Sequence, residues 1–340
     1  LYFPSDSPGK ERRRPMKKKK RILLGCLLAV AVMLIVAYLL IPTKNSTSVS
    51  SFIMHRRLLK LLVIIIVSFA IPISTISFQT VAQNRFLTPG VLGIESLFVF
   101  IQSGLYFFES LIGLKVEQSA LIYAVTITIQ IILLLLLMNA SKGMLLSNFK
   151  VLLLLTMAFS MLLRNASTFL QVLMDPNEFD KLQSSLYPSF QKMNAQPLLI
   201  FGALILFAIL MMVLFRLRHM LDALHLGVDG ARMLGINTKR LSNVVIVIVI
   251  IMTSLSTILV GPLQFLGFMI ANLSYQLTKE YKHCVLWLFS AILGLVILLS
   301  AQLIVERVFL LTIPISVFIE GIGGVLYLIL LVKGAKLDAA

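Results

Sequence analysis

The chain has 340 residues, of which 59% are hydrophobic and 13% charged, with a net charge of +16 and a mean hydropathy of +0.99. A soluble domain carries about 25% charged residues, no single core hides this much Leu, Ile and Val, and the same apolar surface excludes disorder. The apolar runs are continuous rather than alternating, which excludes a membrane β-barrel and leaves an all-α polytopic membrane protein.

Leu1–Pro15 is polar and aperiodic and reads as an extraneous tail ahead of a start at Met16, with 16–340 as one membrane domain. Lys17 to Lys20 and Arg21 precede the uncharged run Ile22–Ile41. That run is longer than a signal-peptide core and lacks a small-x-small cleavage site, so it reads as a first span with its N-terminus inside. Further runs fall at Leu61–Phe78, Val91–Phe108, Ser119–Met138, Val151–Leu173, Pro197–Phe215, Asn243–Val260, Leu263–Leu277, Cys284–Val305 and Ile313–Val332, about ten spans in all. Gly261-Pro262 alone separates the seventh from the eighth, a helix break by loss of a backbone donor.

Charge bias supports the even count. With ten spans, inner segments after Met16 carry 17 Lys and Arg and outer segments eight, as the positive-inside rule requires. Both termini are then cytoplasmic. Because the basic residues cluster at span ends, the charge does not describe a nucleic-acid groove, which needs a soluble face.

Two polar loops are long enough to hold structure. The outer one runs from Asp175 to Gln196. The inner one, Arg216–Ser242, places Leu221, Leu224, Leu226, Ala231 and Leu234 at roughly helical spacing, interrupted by Gly227 and Gly230, with Gly235 at a plausible helix end. It reads as two short amphipathic helices, about 219–235, lying on the cytoplasmic surface. Connectors in helical bundles usually run about 2–8 residues, so a segment of this length with its own apolar stripe docks onto something.

Residues for catalysis are missing from the pattern. The chain has no Gly-x4-Gly-Lys-Ser/Thr phosphate loop and no Gly-x-Ser-x-Gly elbow. His55, His219, His225 and His283 are scattered near span ends without metal-ligand spacing. Cys26 and Cys284 sit in apolar runs as small hydrophobes. The chain is therefore read as a non-enzyme with no metal or cofactor of its own. Ionisable groups inside spans cost on the order of 2.5–3.5 kcal/mol each at mid-bilayer and are functional candidates by default; these are Glu95, Arg164 and Glu320. Glu95 follows Pro89-Gly90 and falls in a helix's first turn, where the macrodipole favours an anion. Arg164 and Glu320 pair, line a wet pathway, or bond to backbone.

Four segments in order resemble the FecCD-type permeases, the membrane subunits of type II ABC importers for ferric siderophores, haem and cobalamin. Gln79-x4-Asn84-x4-Pro89-Gly90-x2-Gly93 is similar to that family's segment after the second span, with Arg85 at the usual Pro and Thr88 at the usual acid. Leu226-Gly227-x3-Ala231-x2-Leu234-Gly235 resembles its coupling-helix signature. Gly261-Pro262-x2-Phe265-x-Gly267 resembles a third segment, and Pro314 with Ile322-Gly323 falls where the last span's Pro and Gly are expected. The chain departs from the pattern at Ala271-Asn272 (usually Pro-His), Tyr275 (commonly Arg) and Val325 (commonly Pro), departures that fit one half of a pair of different chains.

The resemblance implies a permease of about ten helices in a bacterial cell membrane, translocating a ferric siderophore. Its implied partners are a second, related permease chain, two copies of an ABC ATPase that bind ATP and Mg, and an extracellular substrate-binding lipoprotein. By position in the pattern, Leu224, Leu226, Gly227, Ala231, Arg232, Leu234 and Gly235 couple to the ATPase. Arg57, Lys60 and Arg307, basic on the outer side against the general trend, dock the binding protein. Ser74, Ser77, Gln79, Asn84, Ser160 and Met161 line the pathway. The rival readings are a haem or cobalamin permease, an ion-coupled secondary carrier, which requires inverted repeats and midplane ion sites, and a membrane scaffold protein.

Overall fold

Inside a hydrocarbon layer a backbone must bond to itself, and continuous apolar runs therefore become helices. The computed structural model describes residues 13–41, 51–112, 120–140, 149–191, 196–310 and 312–338. In chain order it contains α1 (Arg13–Leu40), α2 (Ser51–Ala82), a 3-10 turn (Pro89–Leu92), α3 (Ile94–Ile112), α4 (Ala120–Ala140), α5 (Phe149–Val172), α6 (Pro176–Leu186) and α7 (Pro197–Ala223). A second 3-10 turn (Leu224–Leu226), α8 (Gly227–Met233), α9 (Thr238–Val260), α10 (Gln264–Thr278), α11 (His283–Arg307) and α12 (Ile315–Asp338) follow. The described residues contain no strand.

Each of the ten apolar runs lies on a helix, α1 to α5, α7 and α9 to α12. Among the described residues, six stretches are by length and composition long and apolar enough to cross a membrane: Arg21–Leu40, Ser51–Ala82, Leu153–Val172, Pro197–Met233, Thr238–Val260 and His283–Arg307. The count of ten is thus approximate. Helix α1 begins at Arg13, upstream of Met16, and the sequon-like Asn45-Ser46-Thr47 lies outside the described residues.

Several helix boundaries extend beyond the apolar runs. Helix α2 starts at Ser51 rather than Leu61, and α7 continues to Ala223 rather than stopping at Phe215. No Gly or Pro interrupts Arg216–Ala223, and Leu217 and Leu221 continue the apolar face, so the helix has no reason to stop. The inner segment consequently holds one short helix, α8, after a 3-10 turn, in place of the expected two. The outer segment does hold structure, with α6 opened by Pro176 and capped by Asp175, whose side chain accepts from the Asn177 N–H.

Helices α2, α9 and α11 form the centre. They are apolar on every face, the signature of a buried helix, and α2 packs against α7, α9, α10 and α11. Helices α1, α5 and α7 lie on the perimeter and leave residues such as Met33, Leu154 and Ile205 exposed. Small residues set the close approaches to α2. Gly294 of α11 lies where an added Cβ would stand 2.7 Å from the Ser68 carbonyl oxygen, and Gly267 of α10 sits directly against Thr75 and Ile71. At Gly323 of α12 a Cβ would stand 2.8 Å from the Phe265 Cβ. Gly261, at φ +114°, brings the end of α9 against Pro188, and the Ser189 N–H donates to the Val260 carbonyl at 2.8 Å. The Gly261–Gly267 segment is accordingly a packing motif in this chain, of the small-residue kind that membrane helices use.

Gly294→Ala should cost about 1–3 kcal/mol by overpacking α11 against α2. It should lower the thermal midpoint in detergent, whereas Gly104→Ala, at a site with open space around it, should leave the midpoint unchanged or raise it.

Candidate functional site

The inner segment is built around two left-handed glycines. Gly227 (φ +86°) turns the chain from the 3-10 turn into α8, and Gly235 (φ +80°) ends it. The Ile236 N–H donates to the Ala231 carbonyl and the Gly235 N–H to the Arg232 carbonyl, a complete Schellman termination. Asn237 then caps α9, its side chain accepting from the Arg240 N–H at 3.0 Å.

The expected apolar stripe divides in two. Leu221, Leu224 and Ala231 face the bundle and are buried, while Leu226 is 68% exposed and Leu234 61%. Met233, absent from the sequence reading, is the most exposed at 89%. Its signal was present in the sequence as an unbranched apolar side chain next to Leu234 in an otherwise polar stretch. Arg232 is held within the segment, Nε donating to the Thr238 hydroxyl and Nη1 to Asp229, both at 3.2 Å. The segment is a preformed apolar ridge, anchored by its inner face.

The root of this ridge contains a polar cluster that the sequence reading missed. The Asp222 carboxylate at the end of α7 accepts from the His283 backbone N–H at 2.7 Å and lies 2.6 Å from its Nδ1. His283 Nε2 lies 2.9 Å from the Thr80 hydroxyl at the end of α2. Gln83, in the left-handed region at φ +51°, donates to the Leu224 carbonyl at 3.1 Å and to the Thr80 carbonyl at 2.6 Å. His283 is fully buried, with its ring beside those of His225 and Trp287. Asp222 and His283 are 61 positions apart, so no sequence window could join them.

At the opposite end of the bundle the three expected docking residues turn inward. Arg57 is only 5% exposed, and its Nη1 donates to the carbonyls of Tyr38, Leu39 and Ile41 at the end of α1. Lys60 pairs with Glu306 at 3.1 Å, and Arg307, half-buried, donates through Nη2 to the Ile41 carbonyl. The reason is local. A helix C-terminus leaves carbonyls without partners, and cationic side chains satisfy both those groups and the macrodipole. A cavity of about 350 Å³ at this end is lined by Tyr187, Phe190, Gln191, Gln302, Thr312 and Ile315 among others.

The pathway candidates scatter. Ser74 and Ser77 are fully buried and bond to the carbonyls of Ile71 and Ile73. Gln79 is buried too and donates to the Arg85 carbonyl at 2.7 Å. Ser160 bonds back to Thr156 and packs on Gly93. Asn84 is exposed and accepts from the Phe86 N–H, and Met161 is 69% exposed on α5. Glu95 occupies the first turn of α3. Arg164 and Glu320 both lie exposed on apolar faces of α5 and α12, and no ion pair joins them among the described residues. The described residues also contain no group of three His, Cys, Asp or Glu able to hold a metal ion.

Residues 20–333 match the FecCD transport family. The chain belongs to that family. Among its relatives, the petrobactin import system permease protein YclO of Bacillus subtilis (strain 168) is 34% identical over 270 residues, 78% of this chain and 84% of that one. The petrobactin import system permease protein FatC of Bacillus anthracis is 32% identical over 268 residues, 77% of this chain and 73% of that one. A solved structure of a metal-chelate type ABC transporter in an inward-facing conformation shares the fold, with a TM-score of 0.77 at 21% identity over 92% of this chain and 99% of that one.

Two departures from the FecCD pattern meet in space. Arg85, at the usual Pro, lies with its guanidinium 4.7 Å from the ring centroid of Tyr275, at the common Arg position. The two side chains form a cation–π pair.

Replacing Arg57 by Ala should leave the Leu39 and Ile41 carbonyls without this donor, at a cost of ~1–3 kcal/mol. Hydrogen exchange should rise in the last turn of α1 before any central helix responds, a localisation that a purely surface role for Arg57 would not produce.

Proposed function

We propose that this chain is the membrane permease half of an ABC importer for a ferric siderophore, with petrobactin-type complexes as the first class to test. Two similar proteins are petrobactin import permeases, which supports the substrate class. The ridge of Leu226, Met233 and Leu234 supports the mechanism. A contiguous exposed apolar patch on a polar end marks a docking surface, and this one is held rigid by two glycine turns and a buried inner face.

In this reading the ridge lies in the cytoplasm, as do both termini, and inserts into an ATPase subunit that alone binds ATP and Mg. Closure of two such subunits pushes α8 and re-tilts the helices in a two-state rigid-body change. A second, related permease packs on the exposed faces of α5 and α12, which gives Arg164 and Glu320 an environment other than lipid. An extracellular lipoprotein delivers the complex to the opposite end. There Arg307 reaches solvent, while Arg57 and Lys60 act by fixing the end of α1 and the start of α2. Exposed ion pairs are worth ~0.2–1 kcal/mol each, so Arg307 would steer docking more than hold it.

Purification from the native membrane in mild detergent should recover a phosphate-loop ATPase and a second permease with this chain. Leu226→Asp and Leu234→Asp should release the ATPase or abolish ATP-driven uptake while membrane abundance stays the same. Recovery of the chain alone, moving substrate under an ion gradient without ATP, would replace the importer reading with a secondary carrier.

A further inference from the structure

The contact between Asp222, His283 and Thr80 is more directional than anything else around the ridge. Apolar side chains at the inner face of α8, chiefly Leu224 and Ala231, can slide over their neighbours at little cost. A charged acceptor with two donors at 2.6 and 2.7 Å cannot. Asp222 lies at the N-terminus of α11, where unpaired N–H groups and the helix dipole both favour an anion. It is also two residues before the 3-10 turn that leads into α8. Gln83 holds that turn from within, through the Leu224 carbonyl, and at the same time holds the last carbonyls of α2.

We infer that Asp222, His283, Thr80 and Gln83 form the joint that carries displacement of α8 into the two central helices. The inference rests on the reading of α8 as the ATPase contact. Three elements enter the joint: α7 with the turn after it, the end of α2 and the start of α11. Beyond it α2 and α11 pack together and are tied again at the far end by Lys60 and Glu306. A push on the ridge therefore reaches the opposite end of the molecule through a pair of helices fastened at both ends. Gly227, with φ +86°, is the turn that links ridge and joint. The four residues are positioning residues, acting through helices and not on the transported complex.

The test uses the complete transporter, this chain with its partner permease and ATPases, reconstituted in vesicles. Transport per ATP hydrolysed is measured with a ferric petrobactin complex as probe. The variants are Asp222→Ala, His283→Ala, His283→Asn, which keeps an amide donor near the place of Nδ1, and the near-isosteric Thr80→Val. Each should retain bound ATPase and basal hydrolysis, while transport per ATP falls roughly tenfold in Asp222→Ala and His283→Ala. His283→Asn should recover part of the loss, and Asp222→Ala/His283→Ala should be no worse than either single change, as expected of residues acting as one unit.

Thr80→Val keeps the test open if the alanine variants fold poorly, since it removes one hydroxyl and little else. Wild-type coupling in Thr80→Val and in every stable variant at Asp222 or His283, with Leu226→Asp and Leu234→Asp still uncoupled, overturns the joint and spares the coupling reading. Normal attachment and coupling in the two leucine variants overturns both.

Discussion

A hydrocarbon layer offers no hydrogen-bond partners, so the ends of every helix near it must be satisfied from within the protein. Most of the polar architecture of this chain answers that demand. The final carbonyls of α1 are taken by Arg57 and Arg307. The end of α2 is held by Gln83, the start of α11 by Asp222, and the end of α8 by the bonds that close on Gly235. Where the donors and acceptors come from other elements, as at the end of α1 and the start of α11, the satisfied helix end is also a tie between helices. Tertiary structure and end-capping are here the same set of bonds.

The ties concentrate on α2 and α11. Their apolar faces pack through Gly294 against Ser68 and Pro72, and hydroxyls along α2 are returned to its own backbone at Ile71, Ile73 and Ile76. Small-residue packing lets backbones come close, and with no hydrophobic force between helices in lipid this closeness supplies much of the association energy. A helix held so tightly along its length has little freedom to bend, which suits a part that must pass motion from one end of a molecule to the other. The perimeter helices α1, α5 and α7 have no such constraint and keep apolar faces free.

Periodicity and run length made the helices legible, because a run of apolar residues in a membrane has one backbone solution. The apolar run of α7 ends at Phe215 but the helix continues to Ala223, because a charged residue does not itself remove helical geometry and no Gly or Pro interrupts Arg216–Ala223. The stripe of the inner segment was visible, but its division was not: Leu224 and Leu226 are two positions apart within one 3-10 turn, and Leu224 is buried while Leu226 is exposed. Arg57, Lys60 and Arg307 stand out in the sequence by their charge, but their partners do not: Arg57 and Arg307 bond to carbonyls at the end of α1 and Lys60 pairs with Glu306, which no sequence spacing announces. Asp222 and His283 were legible only as isolated polar residues, for the same reason of distance along the chain.

The contact of Arg85 with Tyr275 shows what a motif position can mean physically. Judged singly, an Arg at a usual Pro and a Tyr at a common Arg look like losses, and they were read as marks of divergence. In space they form one unit, a cation–π contact that joins the α2–α3 connection to α10. The same holds for Gly261, Phe265 and Gly267, whose value lies in what approaches them: Pro188, Gly323 and Thr75 respectively. A motif in a membrane bundle is thus half of a set of contacts, and a departure from it is informative only once the other half has been found. By that standard the unpartnered positions are the ones that point outside the chain. Leu226, Met233 and Leu234, on and beside α8, are such positions among the described residues: they stay exposed on a segment shaped by glycine turns at Gly227 and Gly235.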